Sequence, residues 1–371
     1  MASIIGEKIK VSVFGESHGE AIGVVIDGFP AGMRIDMDMV RSQMARRAPG
    51  GSMSEGLSTA RTEADEPRIV SGVSDGYTNG YPICAMIMNT NQRSSDYKSV
   101  KERLPRPSHA DYPAMVKYGK RVELSGGGHF SGRLTAPVVF AGALCMQFLS
   151  GRYGIETAAH LRQILNVTDT RYGAGVTAAE LREMRSREFP TIDRMTGEAF
   201  RTIIASAKGR GDSVGAVIEC AMASDNGIPV GVGEHMFDSV EARISSMMFG
   251  IPGVKGVEFG AGFDFCRMYG SEANDAYEYR DGRVVTKTDN CGGVAGGMTT
   301  GMPVIFSVAM KPTPSIFVEQ DTVDLSKKAD AKLTIKGRHD PCIALRAVPV
   351  VESAAAVAMA DLILDNEGRR L

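Results

Sequence analysis

Short apolar stretches separated by turn residues predict a protein that mixes strands with buried helices. Residues 8–14 and 23–28 are enriched in Val and Ile and are bounded by glycine, which is typical of strands. Three further apolar segments, 82–88, 216–223 and 302–310, are also predicted to be strands. Strands and helices do not alternate strictly, so the pattern favours mixed α and β elements in one compact body.

Four longer segments are predicted to be helices. Asp36 is a good N-cap for a helix that runs to the break at Pro49. Residues 136–148 are predicted to form a buried helix, 238–248 a further helix, and 351–364 a helix that is apolar on most faces. Because apolar helices need cover from water, we expect layers of sheet to pack over them. No repeat, low-complexity tract or Pro/Ser-rich linker divides the sequence, so residues 1–371 are predicted to form a single large α+β domain.

The charge and cysteine content exclude several classes of function. The chain has 42 Lys and Arg against 44 Asp and Glu, a net charge of −2 that offers no general attraction to nucleic acid or anionic lipid. The longest apolar stretch, 136–149, is interrupted by Gln147 and is shorter than the ~20 residues that span a bilayer. The six cysteines lack the spacing of a zinc or redox site, and the first residues lack the apolar centre of a signal peptide. We therefore expect a cytoplasmic protein with reduced cysteines and with no metal, nucleic acid or membrane partner.

Glycine is the unusual component, and it is clustered. The 43 glycines make up about one residue in nine, against a typical share of roughly 7%. Three are consecutive, Gly126 to Gly128, which suits a place where main-chain N–H groups approach an anion or a flat ring. None of the clusters has the spacing of a P-loop or of a Rossmann dinucleotide site. A flavin and a sugar phosphate, held by irregular glycine loops, are both open at this point.

The glycine cluster at 14–19 contains a candidate acid or base. His18 has small neighbours on both sides, so the backbone is thin there and the ring is suited to exchange a proton near neutral pH. The Gly-x-Ser-x-Gly spacing around Ser17 also matches the nucleophile elbow of α/β-hydrolases, with His339 and Asp340 as candidate triad partners. That elbow must lead into a helix, whereas the next segment is predicted to be a strand. The hydrolase hypothesis is therefore the weaker of the two.

Three other blocks combine cations with titratable groups. Arg46 and Arg47, at the end of the first helix, either complement its dipole or bind a phosphate or carboxylate through their guanidinium forks. Ser108 is predicted to cap a helix whose first turn contains His109, where the partial positive charge lowers the pKa of a histidine. Asp340 lies in a stretch with two arginines and is expected to stay ionised, which suits a base.

Six blocks, in order along almost the whole chain, carry a resemblance to a known family. They are Phe-Gly-Glu-Ser-His-Gly at 14–19, Arg-Pro-Ser-His-Ala-Asp-Tyr at 106–112, Gly-Gly-Gly at 126–128, Gly-Asp-Ser-Val-Gly at 211–215, the paired glycines at 292–297 and Gly-Arg-His-Asp-Pro-Cys at 337–342. Together they resemble the signature blocks of chorismate synthases. The resemblance implies conversion of 5-enolpyruvylshikimate 3-phosphate to chorismate by anti-1,4-elimination of phosphate, with reduced FMN (FMNH2) that is not consumed. It also implies a homotetramer and a β-α-β sandwich, with a helical core between two antiparallel sheets.

The resemblance also implies roles for individual residues. His18 is expected to protonate the leaving phosphate, His109 to serve the reduced flavin, and Asp340 to act as a base that works through flavin N5. Binding of the substrate's anionic groups is expected from Arg41, Arg46, Arg47, Arg61, Arg106, Arg133 and Arg338. Flavin contacts are expected at His129, Phe130, Ser131, Pro252, Gly253, Gly296, Lys311, Pro312, Thr313, Pro314, Ser315 and Arg338, and an NADPH contact at Arg47.

Two departures from the family pattern concern the cofactors. Many members have Arg-Ser where this chain has His129 and Phe130, so a titratable ring replaces a cation near the flavin, and core packing is the alternative role for Phe130. Met53 stands where many relatives have an arginine that contacts nicotinamide, which weakens the case for NADPH as the reductant. No added flavin-reductase domain is visible, so we expect a monofunctional enzyme served by a separate flavin reductase. A serine hydrolase and a flavin-binding or assembly protein without catalysis are the competing classes.

Overall fold

A computed structural model describes residues 3–50, 56–57, 65–89, 104–335, 337 and 339–368, except for the side chain of Lys120. The strands are β1 Ile4–Ile5, β2 Lys10–Gly15, β3 Ala21–Asp27, β4 Arg68–Ser71, β5 Val73–Ser74, β6 Tyr77–Thr78, β7 Ile83–Met88, β8 Glu156–Ile164, β9 Val167–Thr168, β10 Ala216–Ala223, β11 Val254–Phe259, β12 Tyr277–Arg280, β13 Arg283–Thr286, β14 Val294–Ala295, β15 Met298–Thr299, β16 Val304–Met310, β17 Gln320–Asp324 and β18 Ala329–Leu333. The α-helices are α1 Met37–Arg47, α2 Asp111–Tyr118, α3 Thr135–Tyr153, α4 Ala178–Ser186, α5 Arg194–Gly209, α6 Val240–Phe249, α7 Gly270–Ala273 and α8 Ala344–Glu367. Short 3-10 segments lie at Gly119–Arg121, Ser125–Phe130, Gly132–Leu134, Met236–Asp238 and Gly262–Arg267. The candidate residues Met53, Arg61 and Arg338 lie outside the described ranges.

Two five-stranded antiparallel sheets contain most of the long strands. The first has the order β1-β2-β3-β7-β4 and the second has the order β11-β16-β10-β8-β9. In the first sheet Val13 pairs with Val24, and Ile22, Val24 and Ile26 on alternate positions of β3 are fully buried. This period of two places one apolar face of the sheet against the core. In the sequence it corresponds to the Val- and Ile-rich segments bounded by glycine that predicted these strands.

The long apolar helices α3 and α8 pack against each other and against strands of both sheets. Helix α3 contacts β2, β3 and β7 of the first sheet and β8 of the second, and α8 contacts β8 and β10. Gly142 permits this close crossing, because a Cβ there would lie 2.3 Å from Ser353 Cα in α8. Within the described ranges, Ser125–Tyr153 and Ala344–Glu367 are long and apolar enough to cross a membrane, but 78% and 94% of their apolar windows are buried inside the protein. That burial is typical of core helices.

The predicted mixture of helices with antiparallel strands is confirmed, and the element ends show where local patterns suffice. Asp36 accepts hydrogen bonds from the backbone N–H groups of Asp38 at 2.9 Å and Met39 at 3.1 Å, so the predicted N-cap of α1 is confirmed. Helix α8 begins at Ala344 rather than at residue 351 and contains Pro349 in its interior. Because proline usually interrupts a helix, the first part of α8 was not recognisable from the sequence.

Candidate active site

A cavity of about 760 Å³ lies where the C-terminal end of α1 meets the segments before α3 and α8 and the ends of β11 and β16. Its volume is in the range of roughly 300–1,000 Å³ that is usual for small-molecule sites. Among the described residues, six permanent cations and one carboxylate line it: Arg47, Arg106, Arg133, Lys255, Lys311, Arg346 and Asp340. Such a lining favours a ligand that carries several negative charges.

Most of the candidate site residues lie in the wall of this cavity. They are Arg47, Arg106, His109, His129, Phe130, Ser131, Arg133, Pro252, Gly253, Lys311, Pro312, Thr313, Pro314, Ser315 and Asp340. His18 lies directly behind one wall residue, Gly126, whereas Arg41, Arg46 and Gly296 lie elsewhere. The chain thus brings together residues that are up to 293 positions apart in the sequence, from 47 to 340.

The three consecutive glycines separate the two candidate histidines. Gly126, Gly127 and Gly128 have φ values of 62°, 93° and 53°, in the left-handed region that favours glycine. A Cβ on Gly126 would lie 2.0 Å from His18 Cε1, and a Cβ on Gly127 would lie 3.6 Å from His109 Nε2. The absence of a side chain at Gly126 therefore lets the ring of His18 approach the backbone, while the ring of His109 lies at ordinary contact distance from Gly127.

His109 is held by a carboxylate that also binds an arginine. Its Nδ1 lies 2.7 Å from Asp111 Oδ1, while Arg106 Nε donates to Asp111 Oδ2 at 2.7 Å. Because an ionised carboxylate only accepts, Nδ1 carries the proton and Nε2 is left on the side of Gly127. Burial raises the pKa of Asp111, but hydrogen bonds from Arg106 and His109 outweigh it and hold that pKa well below its usual range.

The helix after His109 begins later than the sequence indicated. Ser108 does not cap it: Ser108 has a positive φ of 56°, and α2 starts at Asp111 with Ala110 at the N-cap position and no side-chain cap. The prediction that Ser108 caps a helix with His109 in its first turn is therefore wrong. The pKa of His109 is lowered as expected, but burial is the first cause, and the hydrogen bond to Asp111 opposes it.

Asp65 joins two of the cavity arginines. Arg47 Nη1 donates to Asp65 Oδ2 at 2.7 Å, and Arg133 Nη1 donates to Asp65 Oδ1. Burial, together with the nearby cations Arg346 and Arg133, lowers the pKa of Arg47 to about 10 in spite of Asp65. Three guanidinium groups thus lie close to one fully buried carboxylate, so an incoming anion would relieve their mutual repulsion.

Arg46 faces the core instead of the cavity. Arg46 Nη2 donates to Glu352 Oε1 at 2.9 Å, and the same oxygen accepts from the backbone N–H of Ala159 at 2.9 Å. Neighbouring positions on an α-helix point about 100° apart, so only one of two adjacent arginines can face the ligand. The expectation that Arg46 binds substrate is corrected here: it connects α1, α8 and β8.

Arg41 and Gly296 also lie away from the cavity. Arg41 is exposed on α1, with its Nε 3.1 Å from Glu66 Oε1 and its Nη1 3.3 Å from Asp38 Oδ1. Gly296 is exposed at the turn between β14 and β15, with a φ of 61°. Neither belongs to the cavity lining in the described part of the chain.

Asp340 lies beside a cation, as its neighbourhood in the sequence indicated. Arg346 Nη1 donates to Asp340 Oδ2 at 2.7 Å, and Arg346 Nε donates to the backbone carbonyl of Arg47 at 3.0 Å. Asp340 is 9% exposed, so the carboxylate is close to the cavity yet screened from bulk water. Arg346 thereby connects the candidate base to the arginines around Asp65.

The geometry around Ser17 does not form a hydrolase elbow. Ser17 Oγ donates to the backbone carbonyl of Ser125 at 3.2 Å and lies 3.2 Å from Nδ1 of its neighbour, His18. Strand β3 follows at Ala21, where an elbow requires a helix. His339, the candidate triad histidine, has its ring 5.7 Å from that of Phe317.

Similarity to known proteins extends over nearly the whole chain. A family model described as chorismate synthase matches residues 9–364. The chorismate synthase of Pyrococcus abyssi is 43% identical over 360 residues, covering 97% of this chain and 97% of that protein, and the one of Lancefieldella parvula is 40% identical over 375 residues, covering 98% and 96%. A solved structure, "Crystal Structure of Chorismate Synthase", matches with a TM-score of 0.75 and 27% identity, covering 98% of this chain and 94% of that chain. The chain belongs to the chorismate synthase family.

Membership of the chorismate synthase family confirms the predicted activity. The enzyme is a lyase that eliminates phosphate from 5-enolpyruvylshikimate 3-phosphate to form chorismate, the last step of the shikimate pathway toward aromatic amino acids. Chorismate synthases use a reduced flavin. The hydrolase and the non-catalytic hypotheses are therefore rejected.

The wall of the chorismate synthase cavity fits a flat ring with a phosphate. Phe130 and Tyr118 line it with ring centroids 6.2 Å apart, and Phe130 also packs on Ala114 and Leu124, so both roles considered for Phe130 are compatible. Burial lowers the pKa of Lys311, and the neighbouring charge of Lys255 lowers it further. Two ammonium groups held this close favour an anion between them.

Two details of the wall concern its remaining polar atoms. Thr313 lines the cavity, and its buried Oγ1 has no hydrogen-bond partner among the described residues. His129 instead uses both ring nitrogens on the protein: Nδ1 lies 2.8 Å from the carbonyl of Gly15, and Nε2 lies 3.0 Å from Ser3 Oγ. His129 thus connects the N-terminal segment and the loop before His18 to the glycine run.

Sequence reasoning gave no role to three residues that organise the chorismate synthase site. Asp65 and Asp111 each neutralise cavity arginines, and Lys255 stands beside Lys311. The only sequence signal for Asp65 and Asp111 is that each is an acidic residue in a block that contains arginine. Many exposed surface segments have the same pattern, so it does not identify a site residue.

Proposed function

We propose that this chorismate synthase binds the substrate's anionic groups with Arg47, Arg106 and Arg133 and moves protons with His18, His109 and Asp340. The glycine run carries the proposal, because it sets two histidine rings on neighbouring peptide units at the edge of a cation-lined cavity that also contains Asp340. Arg61 and Arg338 belong to the proposal by resemblance alone.

The arginines have a stabilising and a steering role. The substrate has one phosphate and two carboxylates, and Asp65 holds the guanidinium planes of Arg47 and Arg133 in place before it arrives. Preorganised donors of this kind stabilise charge that develops as phosphate departs. Removal of one such donor costs about 2.7–4 kcal/mol of transition-state stabilisation, or roughly 10²–10³ in rate.

The three titratable residues divide the proton chemistry. His18 supplies a proton to the departing phosphate, and Asp340 accepts the proton that the substrate ring loses. His109 keeps its Nδ1 proton on Asp111 and presents Nε2 on the cavity side of Gly127, where it can exchange a proton with the cofactor. A positioned acid or base of this kind typically contributes about 10²–10⁴ to the rate.

We infer that the glycine run, Phe130, Ser131 and residues 311–315 would hold reduced FMN, and that Lys311 and Lys255 would bind its anionic group. When bound, reduced FMN would supply the transient electron that the elimination requires. An NADPH contact at Arg47 rests on the resemblance alone; in the structure the guanidinium of Arg47 donates to Asp65, to the carbonyl of Gly132 at 2.9 Å and to Thr135 Oγ1 at 3.2 Å. We also infer a monofunctional enzyme that is served by a separate flavin reductase.

The proposed roles are tested by anaerobic turnover. Purified protein is mixed with 5-enolpyruvylshikimate 3-phosphate and chemically reduced FMN, and phosphate release and chorismate absorbance are followed together. Turnover that requires reduced FMN, and does not rise when NADPH is added to oxidised FMN, supports the proposal. Equal turnover with oxidised FMN would exclude the cofactor assignment, and self-sufficient turnover with NADPH and FMN would exclude the monofunctional assignment.

We also infer the larger organisation of the enzyme. A single domain over residues 1–371, built as a β-α-β sandwich, is supported by the contacts of α3 with both sheets and of α8 with α3 and the second sheet. A homotetramer is supported by large exposed rings such as Phe237, Tyr279 and Phe263, which are 89%, 83% and 81% exposed and which further copies would cover. A cytoplasmic location is supported by the six cysteines, all of which are free.

A further inference from the structure

The loop that carries His18 is a tight turn whose two ends are bound by one side chain. Gly19 N donates to the carbonyl of Glu16 at 3.1 Å, so His18 occupies a central position of a four-residue turn. Asn89, which directly follows β7, donates from Nδ2 to the carbonyl of Glu16 at 2.9 Å and to that of Gly19 at 2.8 Å. Its backbone N–H also donates to Glu20 at 3.0 Å. One amide group therefore sets the spacing of the turn's ends.

The oxygen of the same amide binds a cavity arginine. Arg133 Nε donates to Asn89 Oδ1 at 2.8 Å, while Arg133 Nη1 donates to Asp65. The amide cannot be reversed, because Oδ1 would then face two carbonyl oxygens and Nδ2 would face a guanidinium donor. The partners of the Asn89 amide thus define its orientation, because Nδ2 donates two hydrogen bonds and Oδ1 accepts one.

The turn is held from the opposite direction by the glycine run. The backbone N–H of Ser17 donates to the carbonyl of Gly128 at 3.1 Å, and the ring of His18 packs directly on Gly126. The position of the His18 ring relative to Arg133 therefore depends on two supports, and Asn89 contacts both the turn and Arg133 itself.

We propose that Asn89 is a positioning residue that couples the anion-binding Arg133 to the proton donor His18. The inference rests on the roles proposed for those two residues. Protonation of a departing phosphate needs the donor within about 2.6–3.2 Å of the accepting oxygen, and a misplacement of about 1 Å can cost roughly 100-fold in rate. Asn89 keeps the donor and the arginine that holds the anion on one rigid amide.

The isosteric change Asn89→Asp separates the two halves of this role. It keeps an oxygen toward Arg133 but sets a second oxygen against the two turn carbonyls. We expect kcat for phosphate release with reduced FMN to fall about 10- to 100-fold, with KM for 5-enolpyruvylshikimate 3-phosphate changed by less than about threefold. Asn89→Ala removes the arginine contact as well and should also raise KM. Asn226→Asp, at an exposed position after β10, is the matched control and should leave both constants unchanged.

A double-mutant cycle with His18 distinguishes positioning from a general loss of structure. In a His18→Ala background, Asn89→Asp should cost less than about twofold in kcat, because the group it positions is gone. The same loss in both backgrounds, or wild-type kcat for Asn89→Asp beside an impaired His18→Ala, would overturn the inference alone. Wild-type kcat for His18→Ala would instead overturn the proposed role of His18 and the inference with it. Melting temperature and FMN binding are measured for each variant, and Asn89→Ala replaces Asn89→Asp in the cycle if the latter does not fold.

Discussion

His109 in the cavity and His160 in the second sheet both lie beside carboxylates, yet their pKa values move in opposite directions. His109 contacts one carboxylate, Asp111, which already accepts two hydrogen bonds from the guanidinium of Arg106. Burial lowers the pKa of His109, and the paired carboxylate does not compensate. This ring is therefore mostly neutral near pH 7 and free to exchange a proton.

His160 contacts two carboxylates, one through each ring nitrogen. It is fully buried in β8, with Nδ1 3.1 Å from Asp169 Oδ2 and Nε2 3.0 Å from Glu219 Oε2 in β10. Burial lowers its pKa, but the hydrogen bonds to Asp169 and Glu219 outweigh burial and raise it. Those carboxylates otherwise accept from backbone N–H groups, such as those of Ile192 at 2.6 Å and Tyr172 at 2.7 Å, which carry no full charge.

The contrast shows that burial alone does not set the protonation state of a histidine. The balance between burial and the neighbouring charges sets it: one carboxylate that also binds an arginine does not offset burial at His109, whereas two carboxylates do at His160. In the cavity Arg106 shares the carboxylate and the pKa of His109 is lowered, whereas in the sheet two carboxylates bind the ring of His160, raise its pKa and connect β8 to β10.

The largest effect we expect is on catalysis from His109→Ala. Loss of the titratable ring should lower kcat about 10²–10⁴-fold with little change in melting temperature, because Asp111 keeps Arg106 as a partner. Anaerobic phosphate release and thermal unfolding of the same preparations measure both. A large drop in melting temperature with near-normal kcat would reverse the assignment of catalytic and structural histidines.

His160→Leu should have the complementary effect. It leaves Asp169 and Glu219 buried without their cation, which typically costs about 3–5 kcal/mol in the free energy of unfolding. The rate per folded molecule should stay unchanged, since His160 is absent from the cavity lining. Urea unfolding compares this variant with His235→Leu, a change at an exposed histidine that should be near neutral.

Asp111→Asn sharpens the comparison inside the cavity. The hydrogen bond to Asp111 raises the pKa of His109, so replacing it with a neutral amide should lower that pKa further. We expect kcat to fall roughly tenfold, and the limb of the pH profile due to His109 to move to lower pH. An unmoved limb would show that Asp111 does not act through His109.

The smallest effect is a pH dependence of stability. Because the pKa of His160 is raised in the folded state, its contribution is fully present below the unfolded value of about 6.5 and is lost as pH rises through the folded pKa. The difference in unfolding free energy between the wild type and His160→Leu should therefore shrink as the solution is made alkaline. A difference that grows with pH would mean that His160 is neutral in the folded protein.

Patterns among neighbouring residues predicted much of the fold and of the site of this enzyme. The features they missed depend on contacts between residues that are distant in the sequence. The cap at Asp36 depends on neighbours two and three residues away, so its sequence pattern is sufficient. The glycine run was recognisable for the same reason. Which of Arg46 and Arg47 faces the cavity depends on how α1 rotates against α8, and the role of Asp65 depends on Arg133, 68 positions along the chain. Such partners are brought together only by the complete fold.

Arg46 faces the core and Arg47 faces the cavity, so their variants should give the same growth defect from different molecular causes. In a cell that relies on this enzyme for phenylalanine, tyrosine and tryptophan, loss of either arginine should stop growth. Without Arg46, the buried Glu352 lacks its cation, and the shortage is of folded enzyme; without Arg47, Asp65 keeps Arg133 as a cation, so folded enzyme should accumulate without activity. Cooler growth or extra chaperones should rescue only the first. Variants at these two neighbouring positions therefore distinguish a loss of folded protein in the cell from a loss of catalytic activity.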